Sequence, residues 1–305
     1  MITIKSKKLL LLLLIFNVPI VFNGKGQVKE LTNSSKAING KNYYLVLSAG
    51  LKNAIFRDFA TSPLFYNGYG LELHTEWLKR SQQKERSLEF GLGFYSMSAR
   101  IPKSDYIQPR TNAVFAQGNI RYNRLFQLKS FSNTRFNYKL GGTFQTTQNL
   151  RLNPNLDNNG LGLENITNIM FSAQITSDVS RNQERKLNFW LFKINLHPVK
   201  RDLRFQINYG IANFNYRPSY AFAYVPEING TETTYLRFIL SSYNWSYFDG
   251  QRCNTDLEYI VYLPNGNARS LSYVWDIAHV PGKYEPFQMA SHQIRYRLYF
   301  HTKKR

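Results

Sequence analysis

The chain has 305 residues, a formal net charge of +20, one Cys and an aromatic content of 15%, with 21 Tyr and 22 Phe. A single Cys excludes an intrachain disulfide and a Cys-based metal site. Mean hydropathy is −0.40, and no apolar run of roughly 18 residues follows residue 22, which excludes a bundle of membrane helices.

Residues 1–26 read as a secretory signal peptide. Lys5, Lys7 and Lys8 form the positive segment, and Leu9 to Phe22 form the apolar one. That run of about 14 residues is too short for a spanning helix. Small Gly24 and Gly26 set the expected cleavage before Gln27. No Cys follows, which argues against a lipid-anchored form. Residues 27–42 are expected to be a short polar periplasmic tail.

Strand patterns then follow one another. Tyr43 to Lys52 alternates Tyr43, Leu45, Leu47, Ala49 and Leu51 with Tyr44, Val46, Ser48, Gly50 and Lys52. Tyr69 to Trp77 sets Leu71, Leu73 and Trp77 against Glu72, His74 and Glu76. Leu88 to Phe94 sets Leu88, Phe90, Leu92 and Phe94 against Glu89, Gly91 and Gly93. Successive side chains on a strand point to opposite faces, so each segment is apolar on one side and polar on the other. The link Lys79 to Arg86 reads as a short charged turn.

Val114 to Phe126, Phe136 to Gln145 and Ile169 to Val179 continue the pattern. The Asn-rich connection Leu150 to Asn165 is expected outside the cell. SRNQERK, from Ser180, is another charged turn. Leu187 to Leu196 is counted as a strand although Phe189 to Phe192 is apolar on both faces. Leu203 to Ile211 alternates clearly, and the Pro-flanked piece SYAFAYVP within Arg217 to Thr231 is either a strand extension or a loop. Tyr235 to Tyr247, Leu257 to Leu263, Leu271 to Ile277 and His292 to Phe300 complete the set. Cys253 is expected in a loop. Pro264-Asn265-Gly266-Asn267 is a hairpin signal.

The last strand, SHQIRYRLYF, places Ile294, Tyr296, Leu298 and Phe300 on one face and Gln293, Arg295, Arg297 and Tyr299 on the other. After an export signal and many repeats, this reads as lipid outside and lumen inside. The expected fold is all-β: one antiparallel transmembrane barrel over residues 43–300, with residues 301–305 as a basic tail. The segments count to about 12 strands, an even number as single-chain bacterial barrels require. The link His197 to Asp202 resembles a turn on the side of the chain termini. That placement would add strands and makes about 14 the second choice.

With the signal peptide, the Gln at the expected mature start and the Gly-studded aromatic strands, the chain resembles the medium-sized outer-membrane barrels of Bacteroidota. The resemblance covers the mature chain as a pattern. It implies outer-membrane lipid, lipopolysaccharide and the barrel-assembly machinery as partners, with other outer-membrane subunits as further candidates. It brings no catalytic residues.

Expected lumen-facing residues are Glu72, His74, Glu76, Glu89, Arg121, Lys139, Asp178, Arg204, Glu258, Asp276, Arg295 and Arg297. Glu72, His74 and Glu76 stand about 6.5–7 Å apart in succession on one strand face. They could hold a metal or form an acid–base set, but polar residues are obligatory on a hydrated wall, and the wall is the preferred reading. Ser291 and His292 are neighbours on a strand and point apart, so they cannot act as a catalytic pair. No catalytic, cofactor or metal set is expected. The cations are spread along the chain, which argues against nucleic acid; attraction to lipopolysaccharide accounts for them. The expected function is non-enzymatic, either a narrow channel or a membrane subunit of an assembly or secretion complex. The alternatives are an outer-membrane lipid-modifying hydrolase and a secreted soluble β-sandwich.

Overall fold

The computed structural model describes residues 42–58, 62–100, 110–155, 160–181, 183–189, 192–196, 198–216, 243–280 and 286–302. The expected signal peptide, all of the expected tail but Asn42, and the SYAFAYVP piece lie outside the described residues.

The ring strands are β1 (Asn42–Asp58), β2 (Ser62–Arg80), β3 (Lys84–Arg100), β4 (Arg110–Gln127), β5 (Phe136–Leu152), β6 (Leu161–Asp178), β9 (Arg201–Tyr216), β11 (Arg252–Tyr262), β12 (Ala268–Val280) and β13 (Phe287–Thr302). Each pairs antiparallel with its neighbours, β13 pairs with β1, and β6 pairs with β9, so the ring is closed. Closure excludes the β-sandwich alternative.

The barrel has ten strands with one more outside it, not 12 or 14. Two expected strands are not in the ring. Leu187 to Leu196 folds on itself as a separate hairpin of β7 (Arg185–Phe189) and β8 (Phe192–Leu196). Its run of apolar residues on both faces suits neither a lipid-facing nor a lumen-facing wall. From the segment Tyr235 to Tyr247, β10 (Tyr243–Tyr247) pairs only with the last turnward residues of β9. The backbone between β10 and β11 swerves through Phe248 (φ 57°) and Gly250 (φ 77°), and the ring resumes at Arg252. The link His197 to Asp202 does belong with the other short turns, since Val199 bridges Arg181. The parity is restored by losing two strands rather than by gaining two. The Pro264–Asn267 turn joins β11 to β12, with Gly266 at φ 84°. Cys253 is in β11, half-buried, and not in a loop.

The end at which β1 starts and β13 finishes is termed proximal, and the other distal. On the outer face of β3, Phe90, Leu92 and Phe94 are exposed, and on the inner face Glu89 is 4% exposed. Above this level the pattern inverts. Tyr95, Met97 and Ala99 are buried inside, whereas Ser96 and Ser98 face outward. The same inversion occurs on β1, where Ala54 and Phe56 are buried inside, and on β13, where Phe287 and Met289 are. A strand of 17 to 19 residues, as in β1 to β3, is much longer than the roughly 9–11 needed to cross a bilayer. The proximal part therefore has the apolar-out, polar-in arrangement of a membrane barrel. In the distal part an apolar interior meets a mixed exterior, where Asn53, Ser96 and Ser98 stand beside exposed Ile55, Val114 and Leu152.

Candidate functional site

The barrel interior is built in three layers. Along β1 the inward residues are Tyr44 and Val46, then Ser48, Gly50 and Lys52, then Ala54 and Phe56. The distal layer is apolar. Phe56 stacks on Phe115 with ring centroids 4.8 Å apart, and Phe287 and Tyr66 close around them. At the proximal end Tyr44 meets Tyr299 edge-on at 5.7 Å, with Val46, Leu78 and Ile260.

Between these layers lies the charged layer. Lys52 Nζ donates to Glu72 Oε1 at 3.0 Å and to Gln117 Oε1 at 2.7 Å. The Tyr95 hydroxyl donates to Glu72 Oε1, and Gln293 Nε2 donates to Glu72 Oε2 at 2.8 Å. His74 lies between two carboxylates, with Nε2 3.1 Å from Glu72 and Nδ1 3.2 Å from Glu89. Arg295 Nη1 donates to Glu89 Oε2 at 3.1 Å. Lower down, Arg204 reaches across the lumen, 3.0 Å from Glu85 and 2.7 Å from Glu258. Arg297 donates to Asp256 at 2.6 Å. Arg252 grips Asp276 with two bonds of 3.0 and 2.7 Å.

Glycine makes room for this layer at one place in particular. Gly91 faces His74 across the β2–β3 ladder, and a methyl group at Gly91 would collide with the imidazole. Gly93, opposite Glu72, is equally crowded by Glu72 and Tyr95. These strand glycines leave space for side chains rather than relieving a bend.

The expected lumen residues fall as follows. Glu72, His74, Glu89 and Arg295 form one chain, and Arg204, Glu258 and Arg297 another. Asp276 belongs to Arg252, Lys139 lies 3.4 Å from Glu85, and Arg121 donates to Gln145 at 3.2 Å. Glu76 is buried near Ser87 and Arg297. It is not the second carboxylate on His74; Glu89 of the next strand is, so the same-strand triad is not the constellation that forms. Asp178 is not inside. It is exposed at the end of β6, where it accepts from the Ser180 amide at 2.8 Å. Ser291 is buried and His292 exposed, on opposite faces.

Sequence reasoning missed Lys52, Glu85, Arg252 and Asp256. Lys52 and Asp256 lie in phase with the inward positions of their strands, and phase alone could have found them. Glu85 and Arg252 sit where a turn or a loop was expected.

Eight Lys or Arg and nine Asp or Glu are buried among the described residues. The interior is therefore close to neutral, and the surplus of +20 resides elsewhere. Two interior cavities, one around Lys52, Glu72 and Arg252 and one around Glu76, Arg204 and Arg297, hold about 20 Å³ each, room for about one water apiece.

No protein-family model and no curated protein matches the chain. Solved barrels are similar in structure. The outer membrane protease OmpT of Escherichia coli aligns with a TM-score of 0.49 at 7% identity, covering 87% of this chain and 97% of that one. The translocator domain of the autotransporter NalP of Neisseria meningitidis aligns with a TM-score of 0.31 at 9% identity, over 89% and 93%. The transport unit of the autotransporter AIDA-I of Escherichia coli aligns with a TM-score of 0.37 at 5% identity, over 88% and 97%.

Proposed function

We propose that the protein is a sealed outer-membrane barrel that acts as a membrane subunit of a larger assembly rather than as a pore. The observation that carries this reading is the filled interior. Ion pairs span the lumen, an apolar layer lies across the distal end, and the proximal end holds Tyr44, Val46, Leu78 and Ile260 beside the Glu85 ion pairs. Conduction needs a continuous hydrated path, and cavities of about 20 Å³ do not supply one.

An even number of strands brings the start of β1 and the end of β13 to the proximal end, which in single-chain bacterial barrels faces the periplasm. The distal part then stands above the outer leaflet on a rigid, closed wall. It carries the long connection from β9 to β11 with β10 at its base. A partner meets this rim from outside, and the β7–β8 hairpin from the periplasm. The reading is non-enzymatic. His74 and its carboxylates are 4% exposed each and lie beneath the apolar distal layer, out of reach of a substrate in water.

The test is planar-bilayer recording of the purified barrel, its fold verified by heat-modifiable gel migration. Silence is expected. Steady conductance steps with ion selectivity would replace the subunit reading with the channel. Pull-down in mild detergent should then recover a stable stoichiometric partner, and a barrel that purifies alone from every mild detergent contradicts the subunit role.

A further inference from the structure

The barrel sorts its charges by face. Every Asp and Glu of the ten ring strands sits at an inward-phase position, and none is in the outward phase. The outward phase carries only cations, and these are unevenly placed. Lys79, Lys84, Arg86, Arg124, Arg201 and Arg269 lie at the proximal edge of the apolar belt. At the distal edge of the belt the outward positions are neutral and polar, such as Asn53, Ser96, Ser98, Thr146 and Thr167. Arg57 is the one Lys or Arg of the distal outer face among the described side chains.

The proximal cations are held in an aromatic girdle. Lys79 Nζ lies 5.0 Å from the Tyr43 ring centroid, Arg86 5.8 Å from Tyr122, Arg124 5.1 Å from Phe126 and Arg201 5.9 Å from Tyr259. Each ring holds a stem against the apolar wall and leaves the charged head at the level where headgroups begin. No carboxylate pairs with any of the six among the described residues. Lipid hydrocarbon starts immediately above them, at Trp77 (54% exposed) and Leu298 (40%). A ring of cations at that depth, with Asp178 at the end of β6 as its one exposed strand carboxylate among the described residues, is complementary to anionic phosphate.

We propose that this proximal collar binds the headgroups of anionic phospholipids in the leaflet it borders. The inference rests on the membrane reading above and goes beyond it by naming a lipid class and a leaflet. These six cations then serve the phospholipid side of the membrane, whereas the described side chains of the distal outer face offer Arg57 alone to an anionic glycolipid.

The experiment uses the purified full chain and an equal mixture of phosphatidylglycerol and phosphatidylcholine, with retained lipid read by native mass spectrometry. Phosphatidylglycerol should be retained in preference. Lys84→Gln, Arg86→Gln and Arg124→Gln together should weaken that preference, by about fivefold per cation removed, while Arg57→Gln leaves it unchanged. Equal retention of the two lipids by the unmodified protein overturns the proposal, as does full preference in the triple variant. If the triple variant does not fold, Arg86→Gln alone should give the single-cation loss. The unmodified protein offers a further check, because its preference should fall as salt rises; a salt-indifferent preference overturns the proposal. Vesicle flotation separates the two levels. Protein that floats with vesicles but shows no preference defeats the collar alone, and protein that floats with neither composition defeats the membrane reading as well.

Discussion

Arg295 of β13 donates to Glu89 of β3 at 3.1 Å, across two intervening strands and 206 residues of sequence. Both side chains are buried. The bond crosses the lumen rather than running along the wall. It occurs because each strand places one charge at the same depth as the other.

Removing one partner should therefore cost more than the pair contributes. Arg295→Met leaves Glu89 buried without its guanidinium partner, with His74 and the cross-strand Arg121 beside it, and the loss should be about 3–5 kcal/mol. Arg295→Met with Glu89→Leu should recover most of that loss, because no charge is left stranded. Denaturant unfolding followed by heat-modifiable migration measures both. A double variant as unstable as the single one would show that the pair is not the cause.

Gly91→Ala tests the space left for His74. The added methyl collides with the imidazole held between Glu72 and Glu89. Stability should fall by about 1–3 kcal/mol. The combination Gly91→Ala with His74→Ala should show less than the summed effect, since the obstacle and the obstructed group are then both changed. Strict additivity in the same unfolding assay would disconnect the two residues.

Phe56→Ala tests the distal apolar layer. Phe56 is 2% exposed and stacked on Phe115, and truncation should cost about 3–5 kcal/mol. Conductance should remain absent, because the charged layer beneath still fills the lumen. Open-channel steps in Phe56→Ala would assign the seal to the aromatic layer alone.

Asn153 ties the β5–β6 connection to the barrel wall. Its side chain accepts from Thr111 at 3.1 Å and donates to Tyr66 at 3.0 Å, and its own backbone amide donates to Gly160 at 2.7 Å. Asn153→Ala leaves Thr111 and Tyr66 polar groups with one partner fewer and should cost about 1–3 kcal/mol. Limited proteolysis within residues 154–160 should speed up while the barrel fragments stay associated. Unchanged cleavage kinetics would mean that the loop is held by other contacts.

The alternation in SHQIRYRLYF was legible without a structure, and the faces are sorted as it predicts: Ile294 and Leu298 are exposed, and Arg295 and Arg297 are buried. Leu88 to Phe94 was legible for the same reason. The strand ends were not. Beyond Phe94 the apolar residues move from the even positions Leu88, Phe90, Leu92 and Phe94 to the odd positions of the opposite face, at Tyr95 and Met97. A reading that follows one apolar face stops at that change, although β3 continues to Arg100.

The strand count failed where local pattern and ring membership part. Leu187 to Leu196 is extended, as expected, but it pairs with itself. The one local sign was the apolar run Phe189 to Phe192 on both faces; that the segment pairs with itself was set by the partners available to it.

By itself, the sequence determined a barrel-forming alternation, the face of the strand side chains other than Asp178 and the surplus of positive charge. Those are consequences of a two-residue period, which neighbouring residues set between them. Only the tertiary structure decided that the ring closes at ten strands, that Glu89 rather than Glu76 completes the His74 pair, and that ion pairs join distant strands across the lumen. Each of these depends on which residues from distant strands arrive at one depth, and ring closure and register, not local pattern, set that depth.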